Sequence, residues 1–227
     1  MVMKTRILTF ITLCLLSVSA VKAQWTYDFQ IGITKNQITN DGAILSNGDH
    51  VPATTNWGYG FRLGFIGRYV TKFNMTIGYG IAVGEERNQK VFGLASTGYY
   101  YNMELQNIEY FHVPLMLGYN INLGDLVIRP EVGAFSNYNF GGREVMYGFN
   151  NRNDIIDRDI KVNPFKNAGE CDYRPFERFD YGWTAGLTLQ YDGVGLNFYY
   201  EKGLHKMGGD YLNVKTAVWS GSLVVSM

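Results

Sequence analysis

Cysteine is almost missing from this sequence. Of the two, Cys14 lies in an N-terminal segment that reads as a cleaved leader, which leaves Cys171 alone in the remaining chain. A disulfide-stapled secreted domain is excluded, so the fold must close by other means. Long apolar runs are equally scarce. Residues 7–18 form one, short of the roughly 20 residues that cross a bilayer as a helix. No second run exists, which excludes a helical membrane protein. Charge of one sign is missing too. Lysine and arginine number 20 and the acids 20; Lys4, Arg6 and Lys22 leave with the leader, giving 17 against 20, a net of −3. That balance is no footprint for nucleic acid. The three histidines, His50, His112 and His205, stand far apart, and no Cys/His cluster has metal-ligand spacing. The glycines alternate with apolar residues and form no phosphate-cradling loop. No cofactor and no metal are expected.

What is present begins with the leader. Lys4 and Arg6 precede the apolar run, and Val21-Lys22-Ala23 supplies a small-x-small site before Gln24. This is the order of a secretory signal peptide. A lipoprotein site at Cys14 is rejected because Leu13 precedes it, where a small residue is needed. The domain reading is therefore a signal peptide over 1–23 and one domain over 24–227.

In that domain aromatic residues and glycine are abundant: 15% Phe, Trp and Tyr, and 27 glycines. They fall into runs that alternate apolar and polar or small residues, the period of a strand. The alternation predicts strands over 25–34, 57–70, 73–83, 108–122, 126–138, 179–191, 194–204 and 214–227. In the first, Trp25, Tyr27, Phe29, Ile31 and Ile33 share one face and Asp28 and Gly32 the other. Several stripes begin or end on an aromatic residue, such as Trp25, Trp57, Tyr69, Phe73, Tyr181 and Tyr191. Aromatic girdles at two water interfaces look like this.

The connections alternate strictly between short and long. Val70-Thr71-Lys72, Asn122-Leu123-Gly124-Asp125 and Asp192-Gly193 are short, the last a two-residue hairpin signal. Residues 35–56, 84–107, 139–178 and 205–213 are long. Short periplasmic turns, long external loops and an even strand count define outer-membrane barrels. The fold class expected is all-β: an eight-stranded antiparallel up-and-down transmembrane β-barrel, with both ends of the mature chain in the periplasm. A soluble lipocalin-like barrel, with the apolar stripes turned inward around a ligand, is the rival.

Several segments resemble the PorT-type outer-membrane β-barrel family of the Bacteroidota. They are Ile108-Glu109-Tyr110-Phe111-His112-Val113-Pro114-Leu115, Ile128-Arg129-Pro130-Glu131-Val132-Gly133-Ala134, Phe179-Asp180-Tyr181-Gly182-Trp183-Thr184-Ala185-Gly186 and Phe198-Tyr199-Tyr200-Glu201-Lys202-Gly203-Leu204. Together they cover about the second half of the mature chain. The resemblance implies an outer-membrane location in a Gram-negative bacterium and, through one namesake, a part in protein secretion. The shared segments are strand and turn residues, so they carry fold and not activity.

If the stripes face lipid, the opposite faces line a lumen carrying Asp28, Arg62, Arg68, Arg129, Glu131 and Glu201, three charges of each sign. Eight strands leave an interior just wide enough for side chains to fill. A paired, closed lumen without an open pore is expected. The partners expected are outer-membrane lipid and a protein held by the external loops. The connection 139–178 is the main candidate, with Tyr147, Phe149, Phe165, Tyr173 and Phe176 as anchors. The alternative is a rim-active hydrolase, a protease or lipid A-modifying enzyme. It would use His50 beside Asp49 and His205 in the loop that carries Asp210, although no nucleophile or paired-carboxylate motif stands beside them.

Overall fold

A computed structural model describes residues 24–40, 43–44, 50–51, 54–96, 99–150, 155–165, 176–207 and 214–227, with the outermost parts of the longest strands described by their backbone. Eight strands form the wall: β1 (Gln24–Asn40), β2 (Thr54–Val70), β3 (Met75–Ser96), β4 (Tyr99–Tyr119), β5 (Leu126–Asn150), β6 (Phe179–Tyr191), β7 (Val194–Gly203) and β8 (Val214–Ser226). Each pairs antiparallel with its neighbours in the chain, and β1 pairs with β8 from Asp28↔Ser226 to Asn40↔Val214. The ring is complete, so the barrel wall has no open edge. Reciprocal bonds between the backbones of Tyr27 and Met227 carry the seam to the end of the chain.

The pleat sends alternate side chains to opposite faces, and the burial follows it. Along β1, Phe29, Ile31 and Ile33 are exposed, Ile33 at 74%, while Asp28, Thr34 and Asn36 are buried. The same inversion holds on β2, where Phe61, Leu63 and Phe65 face out and Arg62 and Arg68 face in. This overturns the lipocalin-like rival: the apolar stripes form the outside. Aromatic rings gather near both ends of this belt, as girdles require. At the short-turn end Trp25 meets Tyr69 at 5.5 Å and Tyr79 at 6.0 Å between centroids. Toward the other end Tyr200 lies 5.4 Å from Trp183 and 4.6 Å from Trp219, and Lys35 Nζ stands 4.7 Å over Trp57.

Several strands run further than the alternation predicts. β3 continues past Val83 to Ser96, β4 begins at Tyr99 rather than Ile108, and β5 continues past Tyr138 to Asn150. The expected long connection 84–107 is therefore mostly a hairpin, closing on Ser96↔Tyr99. The expected structureless loop 139–178 is corrected in part. Its first portion pairs with β4 up to Tyr99↔Asn150, and a further strand, Ile155–Val162, pairs with β5. β5 changes partner at the rim. Up to Tyr138 it pairs with β6, and from Glu144 outward with Ile155–Val162. Register shifts sit where these strands leave the wall, between Arg87 and Lys90, Leu105 and Asn107, and Glu109 and Tyr110. Bulges bend a strand and are common at barrel rims. Above the rim neither face meets lipid, so period-two polarity no longer marks the strand.

The short turns follow from local chemistry. Asp192 and Gly193 both take positive φ, 45° and 79°, the conformation of a type I′ hairpin turn. A side chain at Gly193 would be held in the left-handed region. Gly193→Val is expected to cost about 1–2 kcal/mol of stability, read by urea unfolding of the refolded barrel in lipid vesicles. An unchanged midpoint would show that this turn is not held in the I′ form.

Candidate functional site

The six charged residues read from the alternation all face the lumen, and the fold sorts them into two layers. The first lies toward the short turns. Arg68, with 0% exposure, donates Nε to Glu131 Oε1 at 2.9 Å and Nη2 to Glu131 Oε2 at 3.1 Å. Its Nη1 reaches Asp28, and its Nη2 also reaches the Tyr199 hydroxyl at 3.3 Å. Glu131 accepts further bonds from Thr188 Oγ1 at 3.0 Å and from Tyr199. Arg129 donates Nε to Asn120 Oδ1 at 2.6 Å, and its Nη1 lies 3.6 Å from Asp28. Gln190 Nε2 donates to Ser226 Oγ at 2.6 Å, and Ser226 donates on to Asp28. Two cations and two anions thus share one hydrogen-bonded plug drawn from β1, β2, β5, β6, β7 and β8.

The second layer lies about six residues further along β2. Arg62 grips Glu201 in bidentate fashion, Nη1 to Oε1 at 2.7 Å and Nη2 to Oε2 at 2.9 Å. Its Nε donates to the Tyr110 hydroxyl at 3.3 Å, and Tyr110 donates to Glu86 Oε1 at 3.0 Å. His112 joins on the lumen face, with Nδ1 2.8 Å from Asn137 Oδ1 and Nε2 3.4 Å from Glu201. A charge-assisted bidentate pair is strong and directional. Buried charges are tolerated when paired and hydrogen-bonded; Arg62 and Arg68 meet both conditions, while Arg129 Nη1 has only the Asp28 carboxylate at 3.6 Å and no hydrogen-bond partner.

Glu86 and Asp180 are lumen carboxylates absent from the six. Both are buried. The signal for each was parity. Glu86 continues the inward series Thr76, Gly78, Gly80, Ala82 and Gly84 beyond the apolar stripe, and Asp180 precedes Gly182 and Thr184 on the inward face of β6.

At the rim, Phe165 and Phe176 are each 5% exposed. They pack inside the base of the long connection and do not project outward. Arg178 holds that base. Its Nη1 donates to the carbonyls of Asn139 at 3.1 Å and Phe140 at 3.3 Å, and its Nη2 to that of Phe165 at 3.2 Å. Tyr147 and Phe149 belong to the outer part of β5 by backbone, with side chains outside the described residues; Tyr173 and Cys171 lie outside them altogether. His205 Nε2 donates to Glu177 Oε2 at 2.6 Å, and its ring stacks on Tyr181 at 5.2 Å. The backbone of His50 pairs with Ile44, and its side chain lies outside the described residues. Among the described residues no group of three or more His, Cys, Asp or Glu is arranged to hold a metal ion.

The family model of the outer membrane protein beta-barrel domain matches residues 18–208. The chain belongs to that family. It is an outer-membrane β-barrel protein of a Gram-negative bacterium, its short-turn end periplasmic and its long connections external. No curated protein matches it. Among solved structures it is similar to Ail, the attachment invasion locus protein of Yersinia pestis, at 13% identity and TM-score 0.43, covering 90% of this chain and 99% of that one. It is similar to Neisserial surface protein A at 11% identity and TM-score 0.45, covering 89% and 97%. OprG of Pseudomonas aeruginosa is similar at 12% identity and TM-score 0.37, covering 88% and 95%.

The layers make separable predictions. Arg68→Met leaves Asp28 and Glu131 buried with Arg129 as their remaining cation. It is expected to cost about 3–5 kcal/mol in urea unfolding. Arg62→Met is expected to lose a similar amount. The two positions are roughly 20 Å apart along one strand at about 3.3 Å per residue, so the double variant should be additive within about 0.5 kcal/mol. Strong coupling would show that the layers are one network.

Proposed function

We propose that this protein is a closed outer-membrane barrel whose wall and lumen are structural and whose external loops bind a protein partner. The observation that carries this reading is the inner plug. Arg68, Arg129, Asp28 and Glu131 bind one another across the lumen rather than lining an open path. The signal peptide over 1–23 and a role in secretion, as the PorT-type segments imply, belong to the same reading. Partner binding is assigned to the connection 139–178, with Tyr147, Phe149 and Tyr173 as anchors and Phe165 and Phe176 as its packed base. No observation favours the hydrolase: His205 is engaged by Glu177 and Tyr181.

Bilayer recordings of the refolded protein are expected to show no steady single-channel steps; large, stable steps would overturn the closed-lumen reading. Removal of residues 145–175 is expected to leave membrane assembly intact, judged by the shifted migration of the unheated barrel in electrophoresis. Loss of assembly would count against the division between structural wall and binding loop.

A further inference from the structure

The outer wall carries its charge unevenly around the external rim. On β1 the outward series Trp25, Tyr27, Phe29, Ile31 and Ile33 is followed by Lys35. On β7 the outward series Val194, Leu196, Phe198 and Tyr200 is followed by Lys202. A strand crosses the hydrocarbon in about 9–11 residues. Lys35, ten residues beyond Trp25, therefore stands at the level of the external headgroups. Only β8 lies between the two strands. Lys202 pairs with Ala217, and Lys35 with Trp219, two residues along. Their backbones are thus about 12 Å apart, two strand spacings across and two residues along. Two flexible lysine side chains can reach from both sides to one anion lying between them.

Aromatic rings frame this pair. Three of the four tryptophans, Trp57, Trp183 and Trp219, face outward here. Tyr200 lies 4.6 Å from Trp219 and 5.4 Å from Trp183 between centroids. Lys35 Nζ stands 4.7 Å over the Trp57 ring, which keeps its ammonium against the wall. Neither Lys35 nor Lys202 forms an ion pair among the described residues. At the external end of β6, β7, β8 and β1, those residues place one carboxylate outside the lumen, Glu177, and His205 lies 2.6 Å from it. The other side of the barrel differs. There Glu85 on β3 and Glu109 on β4 share the outward face directly opposite each other, and Arg87 takes Glu85 at 3.0 Å. At headgroup depth the available anions are the phosphates of lipids, and clustered basic side chains recognise them.

We propose that the external rim of β7, β8, β1 and β2 holds a phosphate group of an outer-leaflet glycolipid of the lipid A class. Lys35 and Lys202 donate to the phosphate from either side. The sugar and the first acyl carbons lie against Trp57, Trp183, Tyr200 and Trp219. Glu85 and Glu109 repel the same headgroup, so the lipid is ordered on one side of the barrel. This goes beyond the reading of a closed lumen and a binding loop and rests on neither.

The test titrates the full barrel, refolded in detergent micelles, with bisphosphorylated lipid A and with the same lipid after removal of both phosphates. Native mass spectrometry reads the bound lipid. Saturable binding of one lipid A per barrel is expected, with the dephosphorylated lipid held more weakly. An excess of inorganic phosphate is expected to leave the bound lipid in place. Lys35→Gln and Lys202→Gln are each expected to weaken binding about fivefold. Arg87→Gln, on the acidic side, is expected to leave it unchanged. Unheated migration in electrophoresis checks that each variant is folded. Equal binding of the two lipids, displacement by inorganic phosphate, or unchanged affinity in both folded lysine variants would overturn the proposal. So would an equal loss in Arg87→Gln. The comparison of the two lipids stands on the parent protein alone, whatever the variants do.

Discussion

A backbone amide inside a bilayer has no water to bind, so every strand must be paired along both of its edges. The ring from β1 to β8 meets that demand, and the β1–β8 seam is its decisive part. Closure then fixes the rest. The pleat assigns alternate side chains to two surroundings, hydrocarbon outside and a narrow polar lumen inside. Inside and outside are reversed relative to a soluble domain: Ile33 and Phe61 are exposed while Arg68 and Asp28 are buried.

Reversal puts charge where water is scarce, and the lumen answers with pairs that cross it. Arg62 and Arg68 both stand on β2, whose neighbours in the wall are β1 and β3. Their carboxylates come from elsewhere, Glu201 on β7 and Glu131 on β5. These ion pairs span the interior as struts between walls that share no backbone hydrogen bonds. Removing one partner would strand the other in low dielectric. Small residues leave room for them. A Cβ on Gly118 would fall 2.8 Å from Glu131 Cγ, and one on Gly78 3.3 Å from Arg68 Cγ.

The barrel was legible because lipid imposes a strict rule on sequence. Every residue from Trp25 to Ile33 had to be apolar or not according to its parity, and eight such runs with alternating short and long connections left little choice of topology. The six lumen charges followed from the same parity. Glu86 did not, because it lies just beyond the point where lipid enforces the outward stripe, and the strand was expected to stop there. The outer parts of β3, β4 and β5 were hidden for the same reason. Water on both faces places no periodic demand on side chains, so pairing there depends on backbone register and bulges. The pairings themselves, such as Arg68 with Glu131 across 63 residues of chain, depend on barrel geometry and left no local mark.

The two ends of the lumen therefore do different physical work. At the periplasmic end every charged group has an opposite charge, and Tyr199, Thr188, Asn120, Gln190 and Ser226 supply hydrogen bonds around them. Such a network is rigid, because moving any member exposes others. At the external end Glu86 and Asp180 accept from the hydroxyls of Tyr110 and Thr216 in place of a cation, and Arg178 holds the base of the long connection through backbone carbonyls. Backbone carbonyls are present whatever the side chains are, so that anchor tolerates change in the loop above it. Paired charges at the base and backbone anchoring at the mouth thus hold the two ends of the barrel by different means.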